Sequence, residues 1–343
     1  MVSVDDVRAA AERIVATCVR TPLVPAHWSP PGTTLWLKPE SLQPTGAFKL
    51  RGATNAIALL DSAQRSRGVV THSSGNHGAA LALAARLAGI PCRVVMPEGA
   101  PRIKREAVAG YGAEIVYCAP TAEAREAACA RLVAESGGRL VHPYDDAAVI
   151  AGQGTVLLEL IEEVPDLDAV LVPVGGGGLA SGVALAAAGA APGLAVVGAE
   201  PAGAADAARS LAAGRREAHP PGPVETIADG LKAPLAERTF RALSTHLRHL
   251  VTVEEAAIVE AMRWVWERMK VVVEPSAAVP VAALFTGDVV ARLAAGSGRG
   301  GADGADGGGL RIGVVLSGGN VDLDRLPWAI GDAAASGGAV RDR

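Results

Sequence analysis

Apolar and polar positions follow two regular series along the chain. An N-terminal stretch of helical period at 5–18 leads to a Thr21-Pro22 turn and a short extended run, Leu35 to Leu37. The first series then sets apolar strands at 69–72, 92–96, 114–117 and 139–142 against helical stretches near 76–88, 101–110 and 121–135. Such alternation predicts a parallel α/β unit. The second series runs from a helix at 154–163 through strands at 169–174, 194–199 and 312–316, with helices near 179–189 and 254–269. The N-terminal segment has too few strands to stand alone, so it is expected to pack on this second series. That makes the large lobe discontinuous, residues 1–52 and 149–330, with a small lobe at 53–148 and a flexible tail at 331–343. The low-complexity run GSGRGGADGADGGG at 296–309 reads as a surface loop.

Composition narrows the function. The 343 residues are 50% hydrophobic and 20% charged, with aromatics at 3%, which suits close packing of helices on sheets by small side chains. A net charge of -4 without a basic stripe argues against a nucleic-acid partner and for a small-molecule ligand. Asp5, Asp6 and Glu12 near the start fit neither a signal nor a transit peptide, and no apolar run is long enough to span a bilayer. The expectation is a cytoplasmic protein with no membrane partner. Cys18, Cys92, Cys118 and Cys129 lack zinc-site spacing and read as free thiols.

Four segments carry chemistry. In SLQPTGAFKLRGATNA, at 41–56, Lys49 starts a helical stretch between Phe48 and Leu50. Poor solvation there lowers an amine's proton affinity and frees it to attack an aldehyde. In THSSGNHGAALALAA, at 71–85, a strand ends in Ser73-Ser74-Gly75-Asn76 where a helix begins, a place whose N–H groups suit a carboxylate; an ordinary helix cap reads the same way. In VLVPVGGGGLASG, at 170–182, Gly175 to Gly178 separate a strand from a helix. Glycines let the backbone approach a phosphate and the helix dipole favours its charge. The lysine of a P-loop and the spacing of a dinucleotide fingerprint are both missing, so a monophosphate fits best. In GVVLSGGNVDL, at 313–323, Ser317 ends a strand where ligands bind in open sheets, and its neutral hydroxyl suits a heterocyclic nitrogen.

Together these segments resemble the fold-type II pyridoxal-phosphate (PLP) enzymes, within the serine racemase and serine/threonine dehydratase family. The likeness runs from about residue 5 to 325 and includes AVIAGQGT at 148–155, ETIADGLK at 225–232, VWERMK at 265–270 and EPSAA at 274–278. It implies a tryptophan synthase beta-like α/β fold, two open parallel-sheet lobes with the cofactor in the cleft between them. By the same resemblance Lys49 is the Schiff-base lysine beside Phe48, Asn76 meets the cofactor's phenolic oxygen, and Gly175, Gly176, Gly177 and Gly178 hold its phosphate. Ser317 faces the pyridine nitrogen. Ser73, Ser74, Asn76 and His77 match the loop that grips the substrate carboxylate, and Arg125 matches a substrate-side residue. Glu200, the carbonyl of Ala204 and Asp206 match a divalent-cation site suited to Mg²⁺, Ca²⁺ or Mn²⁺.

The implied activity is β-elimination from L-threonine or L-serine to a 2-oxo acid and ammonia, with serine racemisation as a second activity. The alternatives are serine racemisation as the main activity, dehydration of 3-hydroxyaspartate, and a non-catalytic PLP-binding role. Ser74 matches the serine that serves the face opposite the lysine in racemases, where many threonine dehydratases carry alanine. Ala233 departs from a substrate-side serine of mammalian-type racemases, and Pro44 and Ala79 replace polar residues tied to nucleotide activation. The chain ends without the extra domain of biosynthetic threonine dehydratases, so isoleucine feedback is not expected. Family members are commonly homodimers.

Overall fold

A computed structural model describes residues 2–73, 75–100, 102–297 and 309–328. The expected loop at 296–309 and the expected tail fall almost wholly outside these residues.

Among the described residues ten strands form two sheets. In chain order they are β1 (Val24–Pro25), β2 (Thr33–Pro39), β3 (Val69–His72), β4 (Cys92–Pro97), β5 (Glu114–Cys118), β6 (Arg139–Leu140), β7 (Ala169–Pro173), β8 (Ala195–Pro201), β9 (His249–Val253) and β10 (Leu310–Leu316). The larger sheet has the order β1-β2-β10-β7-β8-β9 and the smaller β5-β4-β3-β6. All pairings are parallel except β1 with β2. β10 lies between β2 and β7, with Val314 opposite both Leu37 and Leu171. Every residue of β7, AVLVP, is buried, as expected for a central parallel strand covered by helices on both faces.

One face of the large sheet packs on helix Pro275–Phe285, around Leu37, Val197, Val279 and Val314. The other packs on helices Ala147–Glu163 and Gly178–Ala190, joined by the N-terminal helix Val4–Ile14 through Val7 and Ala10. Ser3 caps that first helix in a reciprocal capping box with Asp6. The small sheet builds its own core from Val69, Leu81, Val94 and Met96.

Several elements differ from the expected ones. The helix expected at 254–269 is α-helical only over Glu255–Trp264 and finishes in a wider π-turn, Val265–Met269. That turn seats Trp266, whose indole N–H donates to the Val273 carbonyl at 2.9 Å, and ends at Lys270 with φ 58. The helix expected at 154–163 begins seven residues earlier, because Asp146 caps Ala147–Glu163 through the amides of Ala148 and Val149. Strand β9 and helix Pro275–Phe285, apolar but for Ser276, have no amphipathic period to read. The cysteines are free thiols, three of them buried. Among the described residues no single helix is long and apolar enough to cross a membrane.

Candidate active site

The C-terminal ends of β3 and β7, at His72 and Pro173, and Ser317 just past the end of β10 line one cleft, the end of a parallel sheet at which ligands bind. Lys49 opens helix Lys49–Ala58. The helix start is tied to the end of β10, since the Phe48 amide donates to the Ser317 carbonyl at 2.9 Å and Ala47 bridges Gly318. Lys49 Nζ donates to the Pro143 carbonyl at 2.8 Å and lies 5.0 Å from the Phe48 ring centre. Burial lowers its proton affinity to about 8, partly opposed by the nearby Glu274 carboxylate. A cavity of about 450 Å³ opens around this amine, and Phe48, Ser73, Asn76, His77, Gly175 to Gly178 and Ser317 all line it.

The glycine run works by close approach. Gly177 adopts φ +85 at the cap of helix Gly178–Ala190, a left-handed conformation that a side chain would strain. A Cβ on Gly176 would sit 2.5 Å from the Tyr144 ring, and one on Gly175 would sit 2.7 Å from Leu231 Cα. The strip is therefore roofed by an aromatic ring, with amides and a helix N-terminus at its floor, which suits a phosphate group.

Opposite it, Asn76 begins helix Asn76–Leu87. Its amide donates to Glu274, and its oxygen accepts from Asn320 at 2.9 Å. His77 is buried, with Nε2 3.2 Å from the Val141 carbonyl, and burial holds it neutral. His142 is likewise pushed down to about 4 by burial and by His72, whose ring meets it edge-on at 5.2 Å. Ser74 lies outside the described residues, so its expected position on the opposite face stays an expectation.

At the cleft mouth Arg125 lines the cavity and bonds the Thr121 carbonyl through Nε at 3.3 Å. No carboxylate pairs with it among the described residues. Lys104, on helix Arg102–Gly110, meets Asp229, and Ala233 also faces the cavity. Sequence reasoning assigned no role to Glu274, Tyr144, Lys104 or Asp229. For Glu274 a signal was present, an acid inside the apolar EPSAA segment; Tyr144 had none short of the fold.

The expected cation ligands lie together at the end of β8, away from this cavity. Glu200 is buried and accepts from the amides of Ala207 and Ala208 at 3.2 and 2.7 Å. Asp206 Oδ2 accepts from the Leu235 amide at 2.9 Å, while its buried Oδ1 lacks a hydrogen-bond donor, the nearest being His219 Nε2 at 3.4 Å. Burial pushes Glu200 up to about 8 and raises Asp206 as well. Among the described residues no group of three His, Cys, Asp or Glu side chains forms a metal cluster, so two carboxylates, a carbonyl and water would have to serve.

A family model described as pyridoxal-phosphate dependent enzyme matches residues 16–299. The chain belongs to that family. It is 44% identical over 326 residues to the beta-hydroxyaspartate dehydratase of Paracoccus denitrificans, covering 94% of this chain and 98% of the relative. It is 42% identical over 327 residues to the serine racemase of Dictyostelium discoideum, covering 95% and 97%. The crystal structure of that racemase superposes with a TM-score of 0.86 at 42% identity, over 94% of this chain and 99% of the racemase. The crystal structure of the T.th. threonine deaminase gives 0.83 at 40% identity, over 94% and 99%. The protein is thus a fold-type II enzyme of the serine racemase and serine/threonine dehydratase group, with pyridoxal phosphate as the family cofactor. The site fits that group: an amine of lowered proton affinity and a glycine strip that a Cβ would fill surround one cavity, with Asn76 and Ser317 in its lining.

Proposed function

We propose that this PLP enzyme removes water from a small β-hydroxy amino acid, L-threonine or L-serine, giving a 2-oxo acid and ammonia, and that it can also racemise serine. The observation that carries the reading is the convergence of Lys49, of Ser73, Gly75, Asn76 and His77, and of the glycine strip on one cavity. Bound there, the cofactor supplies an electron sink for the charge left at Cα. In this reading Lys49 is the residue that would hold the cofactor, and its amine, of lowered proton affinity, would take the α-proton from one face. Gly175 to Gly178 would hold the cofactor's phosphate, Asn76 its phenolic oxygen, and Ser317 would offer a neutral hydroxyl to its ring nitrogen. Ser73, Asn76 and His77 hold the substrate carboxylate, and Ser74 serves the opposite face as the proton donor that racemisation needs. The division into a large lobe, 1–52 with 149–330, and a small lobe, 53–148, belongs to the same proposal. So does a divalent cation on Glu200, Asp206 and the Ala204 carbonyl.

A second reading, dehydration of 3-hydroxyaspartate, has its own support. Arg125 offers a guanidinium with no carboxylate partner among the described residues to a second substrate carboxylate, and the Paracoccus relative is named for that activity.

Keto-acid release and D-serine formation, measured on L-Ser, L-Thr and 3-hydroxyaspartate, test both readings. Turnover highest on 3-hydroxyaspartate and reduced in Arg125→Ala selects the second; no keto acid from any of the three rejects both. Ser74→Ala is expected to keep elimination and lose D-serine.

A further inference from the structure

The large sheet carries a second cavity at its other end. The active-site cleft opens at the C-terminal ends of β7 and β10, whereas this cavity, of about 610 Å³, lies by the N-terminal ends of β8, β9 and β10. It is bounded by residues 192–196, by the end of helix Glu237–His246 and by helix Asp288–Ser297. His246, Arg248, His249 and Arg292 line it. The acidic lining residue among those described is Asp168, which accepts from the Arg311 amide at 2.8 Å.

Arg248 and Arg292 are exposed and the two histidines half-buried, and two observations tie this cluster to the cavity. First, its members converge: burial lowers the proton affinity of His249, and the charges of Arg248 and Arg292 lower it further. Second, none of the four side chains makes a hydrogen bond or ion pair with another described residue. Arg93, Arg139, Arg238 and Arg311 each meet a carboxylate, whereas Arg248 and Arg292 leave their guanidinium forks open at this cavity. Compensation of a helix C-terminus accounts for His246 and Arg248. It does not account for Arg292, in the middle of a different helix, or for His249, which opens β9.

We propose that this cavity binds a phosphate group, with Arg248 and Arg292 as its ligands and the two histidines beside them. A phosphate carries about two negative charges and three acceptor oxygens, which two guanidinium forks can satisfy at once. Leu247, Leu293 and Leu310 complete the walls, leaving apolar surface for the carbon part of a phosphate monoester.

The test uses the cofactor-loaded enzyme, so that its own phosphate strip is filled. Inorganic phosphate and glycerol 3-phosphate are titrated by calorimetry at constant ionic strength. One saturable phosphate per chain is expected, weakened at least tenfold in Arg248→Ala and in Arg292→Ala and unchanged in Arg131→Ala, a surface arginine of the small lobe. Tighter uptake of the monoester identifies an ester as the ligand; equal uptake identifies free phosphate. The visible absorbance of the bound cofactor verifies that each variant is folded and loaded. Absence of saturable uptake by the wild type, or equal uptake by all variants, overturns the proposal.

Discussion

Asn76 donates its side-chain amide to both carboxylate oxygens of Glu274, at 2.9 and 3.2 Å. The contact joins the start of helix Asn76–Leu87 to the cap of helix Pro275–Phe285, and it places a buried acid close to Lys49. Burial pushes Glu274 up to about 7, so its charge is present only above that pH, and that charge in turn supports the protonated form of Lys49.

Loading of the cofactor-free chain should therefore be pH-dependent. The neutral amine is the reactive form, so uptake of pyridoxal phosphate should quicken with rising pH and level off above about 8. Glu274→Gln keeps an oxygen for Asn76 but removes the charge, and should shift that midpoint to lower pH. Stopped-flow absorbance measures it; a midpoint that does not move would break the link between the two residues.

The same acid shapes stability. Folding raises Glu274 from 4.5 to about 7, so the folded chain holds more protons than the unfolded chain across that window. Stability should fall as pH rises through it. Melting of the cofactor-free Glu274→Gln variant should show a flatter profile between those values, and an unchanged slope would rule the assignment out.

Gly176→Ala should weaken cofactor binding roughly tenfold or more, because its methyl would lie 2.5 Å from the Tyr144 ring and force that roof aside. Equilibrium dialysis reads the affinity. Adding Tyr144→Ala should recover part of it, and a double variant no better than the single one contradicts the steric account.

The glycine strip and Lys49 were legible from sequence because their chemistry is local: glycines between a strand and a helix, an amine among apolar neighbours. The alternation that predicts strands β3, β4, β5 and β7 is local too. Glu274 and Tyr144 were not, since their meaning depends on contacts with Asn76, 198 positions away, and with the Gly176 backbone. Helix Pro275–Phe285 escaped for a related reason: buried on every side, it shows no polar face from which a period could be read.

Glu200 and Asp206 are buried acids with an unsatisfied oxygen between them, and both are raised by burial. A cation would supply the missing counter-charge. Mg²⁺, Ca²⁺ or Mn²⁺ should raise the melting temperature of the wild type and leave Asp206→Ala unaffected; calorimetry that finds no uptake by the wild type removes the cation from the account.

Arg51 tests how far the buried framework supports the site. Its guanidinium meets Glu40 at 2.7 and 2.8 Å and Glu159 at 2.6 and 2.9 Å, while Lys38 pairs with Glu159 at 2.7 Å. The side chains of Arg51 and Glu40 are wholly shielded from water. Arg51→Met would leave Glu40 buried without its cation, a loss that typically costs about 3–5 kcal/mol. Pairing it with Glu40→Leu should return much of that stability, since the stranded charge goes too. Because Arg51 follows Lys49 within the first turn of helix Lys49–Ala58, the single variant should also loosen cofactor binding. Urea unfolding and cofactor titration measure the two effects. A single variant as stable as the wild type would mean that the network contributes no net stability, and unaltered cofactor affinity in a destabilised variant would separate the framework from the site.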